Sequence, residues 1–163
     1  MRQLKFSSLL AMSIALPALV CARLSHSIES AAAVDEHARS EAAVWAVEDH
    51  WLRAEATGDT TFLRDFFLAQ YRSVNADGTS HSGDLIIAHA AKNRGSTTGL
   101  EEIHRYEQEH PSGKSMVLLD DLAIVSFHDP KLGQQQGVKS VDILVYRNGG
   151  WHAVYSQHSK LMT

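Results

Sequence analysis

Three side chains near the C-terminal end could do chemistry together: Asp142, Tyr155 and Gln157. A carboxylate placed beside a phenol and an amide in apolar surroundings has its pKa raised and can serve as a general acid or base. These residues lie on two β-rich runs, Val138 to Arg147 and Trp151 to Ser159, joined by Asn148-Gly149-Gly150, a strong hairpin signal. With Asn148 and Gly149 as the central pair of the turn, Tyr146 opposes Trp151, Leu144 opposes Ala153, Asp142 opposes Tyr155 and Ser140 opposes Gln157. Residues two apart share a face, so Asp142, Tyr155 and Gln157 would sit together on an otherwise aromatic, buried surface. A Gly149-Gly150 central pair keeps that grouping, whereas a three-residue loop moves Asp142 to the face of Val154 and Ser156. The three polar groups could equally do no more than satisfy one another's hydrogen bonds, as buried polar groups usually do.

Other candidates are weaker. His50 falls one turn after Val47 on a helical pattern and could reach Asp142 as a proton-transfer partner, or simply pack beside Trp51. Ten histidines invite a metal hypothesis, but their spacing does not support one. No His-x-x-x-His pair lies on one helix, His104 and His110 are too far apart to share an ion, and the single cysteine is Cys21. Asp77-Gly78 and Asp120-Asp121 read as turns and Gln134 to Gln136 as a solvated loop tip, and neither Asp120-Asp121 nor that loop offers the ligand spacing of a calcium cage. Trp45, Trp51 and Trp151 read as core. No metal and no cofactor is expected.

The elements that must position these residues follow from periodicity. Val44, Val47, Trp51 and Ala54 recur at helical spacing up to a stop at Gly58-Asp59. Thr60 to Leu68 is a second, shorter helix with the stripe Phe62, Phe66, Phe67. Tyr71 to Asn75 is a strand closed by the turn Ala76 to Thr79, and Ser82 caps a third helix from Gly83 to about Asn93. Leu100 to His110 suits a helix or a charged edge strand, with helix favoured by the Leu100, Ile103, Tyr106 spacing. Ser115 to Leu119 and Leu122 to His128 are strands flanking Asp120-Asp121, and the hairpin follows. Helices segregated from a strand meander predict an α+β domain, with three N-terminal helices packed on a curved, mostly antiparallel sheet.

The chain has 163 residues, 44% of them hydrophobic, and a formal charge of -4. That composition suits one globular domain, and the absence of any Lys/Arg run excludes the electrostatic footprint of nucleic-acid binding. Met1 to Lys5 is a short basic start, Phe6 to Val20 an apolar run too short to span a bilayer, and Val20-Cys21-Ala22 a small-residue cleavage site. Residues 1–22 therefore read as a secretory signal peptide cleaved after Ala22, which predicts a periplasmic or secreted protein without an integral membrane segment. Lipidation at Cys21 is disfavoured by the valine before it. Residues 23–37 are a polar linker, and residues 38–163 form the domain.

From Ala38 to Ser159 the chain resembles the NTF2-like superfamily, and within it the DUF4440 and SnoaL-like proteins. The resemblance rests on the Gly58-Asp59 break, Asn75-Ala76-Asp77-Gly78, the Ser82-Gly83 helix start, Asp121-Leu-Ala-Ile-Val125, and Asn148-Gly-Gly-Trp151 to Gln157-His-Ser159. It implies a cone in which the helices and the concave sheet face enclose a pocket, and a homodimer formed through the sheet. It places Gln157 where such proteins often have a pocket-facing polar residue, the first choice for a ligand contact. A ketosteroid-isomerase-like base would fall near Asn75-Ala76, where no side chain can abstract a proton; Asn75 and Tyr71 are instead expected among the pocket residues. The fold hosts many functions, so the role must be argued from the site. Binding of a small hydrophobic molecule leads. An isomerase, dehydratase or hydrolase using Asp142 is the alternative, and a dimerising module with its pocket collapsed around Leu144 and Ile124 is a third.

Overall fold

The computed structural model describes residues 34–161. The expected signal peptide, Cys21 and residues 23–33 of the linker lie outside the described residues. Ser40 opens the domain by accepting a hydrogen bond from the Ala43 amide, capping α1 (Glu41–Thr57). Ala43, Val44, Val47 and Ala54 form its buried stripe. α1 stops at Gly58, whose φ of 76° suits glycine, and Asp59 caps α2 (Thr60–Phe66) by accepting from Thr61 and Phe62.

β1 (Phe67–Val74) begins earlier than the sequence suggests: Phe67 and Leu68 are strand, not the end of the second helix. Phe67 faces the core there, 4.3 Å between ring centroids from Tyr71. A short β2 (Ser80–Ser82) turns back on β1, and Ser82 caps α3 (Gly83–Ala90), which runs into a 3₁₀ turn over Ala91–Asn93. Residues 100–109 belong to a helix, α4 (Gly99–Glu109), as the spacing favoured. Among the described residues four helices thus precede the strand meander, the three expected at the N-terminal side and α4.

The meander is β3 (Gly113–Leu119), β4 (Leu122–His128), β5 (Val138–Arg147) and β6 (Gly150–His158), with a single helical turn, α5 (Gly133–Gln136), between β4 and β5. The six strands form one sheet in the order β2-β1-β6-β5-β4-β3, antiparallel except where β1 runs parallel to β6. This is the expected α+β architecture, with the helices against one face of the sheet. Leu63 and Phe66 of α2 and Ile87 and Ala90 of α3 join the α1 stripe against Ala123, Val125, Leu144, Trp151 and Ala153 of the sheet. The described part of the linker is tied down: the Tyr146 hydroxyl donates to the His37 carbonyl at 2.7 Å and the Trp151 indole to that of Ala38 at 2.9 Å.

Candidate functional site

The hairpin turn is as expected, with Asn148 at φ 53° and Gly149 at φ 86°, both in the left-handed region that a two-residue turn needs. Tyr146 faces Trp151 and Leu144 faces Ala153, also as expected. Beyond that pair the register slips: Ile143 faces Tyr155, Asp142 faces Ser156 and Ser140 faces His158. One extra residue on β6 between Ala153 and Tyr155 makes a β-bulge, and a one-residue slip exchanges the two faces.

That slip corrects the expected grouping. Tyr155 and Gln157 leave the face of Asp142 and bond to each other on the opposite one, the Tyr155 hydroxyl donating to Gln157 Oε1 at 2.6 Å. Ser156, fully buried, takes their place beside Asp142. Its hydroxyl donates to Asp142 Oδ1 at 2.5 Å and accepts from the Tyr71 hydroxyl at 2.9 Å. The result is a directed chain, Tyr71 to Ser156 to Asp142, across three strands. The sequence held one signal for it, the alternative register that put Ser156 with Asp142.

Asp142 lies on the wall of a cleft of about 1280 Å³ between α1, α3, α4 and the inner face of the sheet. The cleft is open where an enclosed pocket was expected, since its lining includes the exposed Leu52 and Tyr106. Leu144 is core and Ile124 faces outward beside Ile143 and Val117, so neither fills it. Burial raises the pKa of Asp142, partly offset by the Ser156 hydrogen bond and the nearby His158. Burial also pushes the Tyr71 phenol well up.

Two residues that sequence reasoning missed share this wall. Glu48 of α1 is 9% exposed, and its Oε1 has no hydrogen-bond partner. Its pKa is raised well above the usual range, first by burial and then by the Asp142 charge. Glu55, two turns further along α1, accepts from the Trp51 indole at 2.6 Å, and burial raises its pKa too. Both were hidden because a helix with charged residues every few positions normally turns them to solvent.

The remaining candidates go elsewhere. His50 points away from Asp142, bonding Glu36 at 2.9 Å and stacking on Phe62 with ring centroids 3.7 Å apart. Asn75 bonds His81 and Thr79 at the mouth of the β1–β2 turn. Tyr71 is buried behind Asp142 and lines no part of the cleft. Among the described residues no cluster of three His, Cys, Asp or Glu side chains could hold a metal ion, and no helix is long and apolar enough to cross a membrane.

Solved structures of similar fold include an NTF2-like protein of unknown function from Silicibacter pomeroyi DSS-3, 18% identical over 71% of this chain and 91% of that one, with a TM-score of 0.49. Another is an NTF2-like protein from Cytophaga hutchinsonii ATCC 33406, at 11% identity, 72% and 95% coverage, and a TM-score of 0.48. NTF2-like proteins recur among the folds this chain resembles. The CaMKII hub of S. rosetta is also similar, at 17% identity, 71% and 92% coverage, and a TM-score of 0.46. No protein-family model and no curated protein matches the chain. Likeness of this degree concerns fold alone and does not reach the DUF4440 or SnoaL-like level, so the residues must carry the function.

Proposed function

We propose that this is an exported NTF2-like domain of the DUF4440 or SnoaL-like kind that binds a small, largely apolar molecule in the cleft over Asp142. The carrying observation is the position of Asp142. It is anchored from behind by Ser156 and Tyr71 and lies on the wall of a cleft of about 1280 Å³, room enough for a small molecule. Trp51, Ile86 and Ile103 supply apolar wall around it. Export rests on the basic start, apolar run and small-residue cleavage site of residues 1–22. A homodimer through the outer sheet face rests on the apolar Val117, Ile124, Val141, Ile143 and Val145 there.

The test is native mass spectrometry on the mature protein purified from the cells that make it. A retained small molecule, lost when Ile86→Trp fills the cleft, supports the reading; an empty mass in every preparation contradicts it. The second reading, an isomerase, dehydratase or hydrolase, is favoured by the raised pKa of Asp142, which suits a general acid. Asp142→Asn separates the two: loss of turnover of the retained compound at unchanged affinity marks an enzyme, and a weakened affinity with no turnover in either protein marks a binder.

A further inference from the structure

The cleft has a sign. Six carboxyl groups line it, those of Glu48, Asp49, Glu55, Glu102, Glu107 and Asp142, against two lysines. Lys139 Nζ donates to the Pro111 carbonyl and Ser112 Oγ at 3.0 and 3.2 Å, and Lys114 lies 3.9 Å from Asp49 and over the Trp45 ring, its charge also felt at Glu48. Glu48 is the informative member. Its side chain lines the cleft and is nine-tenths buried, with Oε1 lacking a hydrogen-bond partner, and a buried acceptor left unmatched is costly. His89 and His158, also in the lining, are exposed at the rim and do not reach it with a hydrogen bond.

Resting on the cleft-binding reading, we infer that the natural ligand is an organic cation, a protonated amine with an apolar body, whose ammonium donates to Glu48 and Asp142. An ammonium offers several N–H donors, enough to meet the underpartnered Glu48 carboxyl and a second one at once. Trp51 donates its indole N–H to Glu55 and lies in the cleft wall, where it adds area for an apolar body. A metal ion fits poorly, because no three of these groups converge closely enough to coordinate one. Burial raises the pKa values of Glu48, Glu55 and Asp142, and an arriving cation would draw these carboxyls back toward their charged form.

The test uses three probes of one shape: 3-phenylpropylammonium, 3-phenylpropanol and 3-phenylpropionate, titrated calorimetrically into the mature protein at neutral pH. The ammonium should bind about tenfold or more tighter than the alcohol, a margin ordinary for a charge-assisted hydrogen bond, and the carboxylate weakest. Glu48→Gln should bring the ammonium down to the affinity of the alcohol and leave the alcohol unchanged; should that variant fail to fold, Asp142→Asn makes the same comparison. Equal binding of ammonium and alcohol, or tighter binding of the carboxylate, overturns the cation and leaves the cleft reading standing. If no probe binds, the cation is likewise overturned, and the cleft reading falls with it only if native mass spectrometry also finds the protein empty.

Discussion

Asp142 is held by a serine that in turn is held by a tyrosine, and the three groups stand or fall together. Ser156→Ala strands both the Asp142 Oδ1 and the Tyr71 hydroxyl in a buried site, a loss of about 1–3 kcal/mol by the usual cost of unmatched buried groups. Chemical denaturation should show it, with Tyr71→Phe costing less because only one hydroxyl is lost. Glu48 behaves in the opposite sense. The folds of Glu48, Glu55 and Asp142 hold their protons at pH values where the unfolded chain has released them. Their contribution is complete below the unfolded carboxyl range, near pH ~4, and is lost as pH rises through the elevated folded values. The ligand-free protein should therefore melt higher at pH 5.5 than at pH 7.5, despite the opposing charges of Lys114 and His158. Glu48→Gln should flatten that slope and raise the midpoint at pH 7.5, each kcal/mol appearing as about 2–4 °C in a domain of this size. A midpoint that climbs toward pH 7.5 would show that these carboxyls are not desolvated in the fold.

At the scale of elements, what was legible and what was not divide at one residue. The Asn148-Gly149 turn and the pairs nearest it follow from the chain, because a two-residue turn with positive φ at both positions leaves little choice of register. The bulge after Ala153 was not legible. Val154 and Tyr155 are both ordinary strand residues, and only packing against the helices decides that Ser156 turns inward. α1 was read from its stripe and its stop at Gly58-Asp59 and α2 from its stripe, whereas the caps Ser40 and Asp59 were not read, and β2 was missed because three residues, Ser80 to Ser82, carry no periodicity. Gly58 is a joint constrained in two ways. It sits at positive φ, and an added Cβ would stand 2.5 Å from the Arg94 amide and 2.7 Å from its Cα. Gly58→Ala should cost about 2 kcal/mol or more, the usual strain of a disfavoured backbone with steric crowding added, measurable by thermal melting. α4 is at the other extreme. No residue of it is buried, so its amides should exchange with solvent fastest among α1, α3 and α4, and slow on addition of a ligand that fills the cleft it borders.

For the whole molecule, the two faces of one sheet have separate tasks. The inner face carries the core and Asp142; the outer one presents Val117 at 53% exposed and Leu119 at 57% beside Ile124 and Ile143. Exposed apolar area of that kind suits a partner surface, and under the homodimer proposed above a second copy of the same sheet would cover it. Ile143→Asp should yield monomers by sizing chromatography, with the cleft on the far face unaffected; a dimer that persists would remove this face as the interface. The α+β class was legible because the order of periodic segments survives any local slip of register. The site was not, because Glu48 and Glu55 gain their meaning from a cleft that no spacing announces. The most direct measurement is an NMR search for contacts between bound 3-phenylpropylammonium and the mature protein. The account predicts intermolecular contacts from the probe's ring to the Trp51 indole and the Ile103 methyls, with its ammonium end nearest Glu48. Contacts to Tyr155, Gln157 or Val141 on the outer face would contradict it, since ligand recognition would then lie on the other side of the sheet from Asp142.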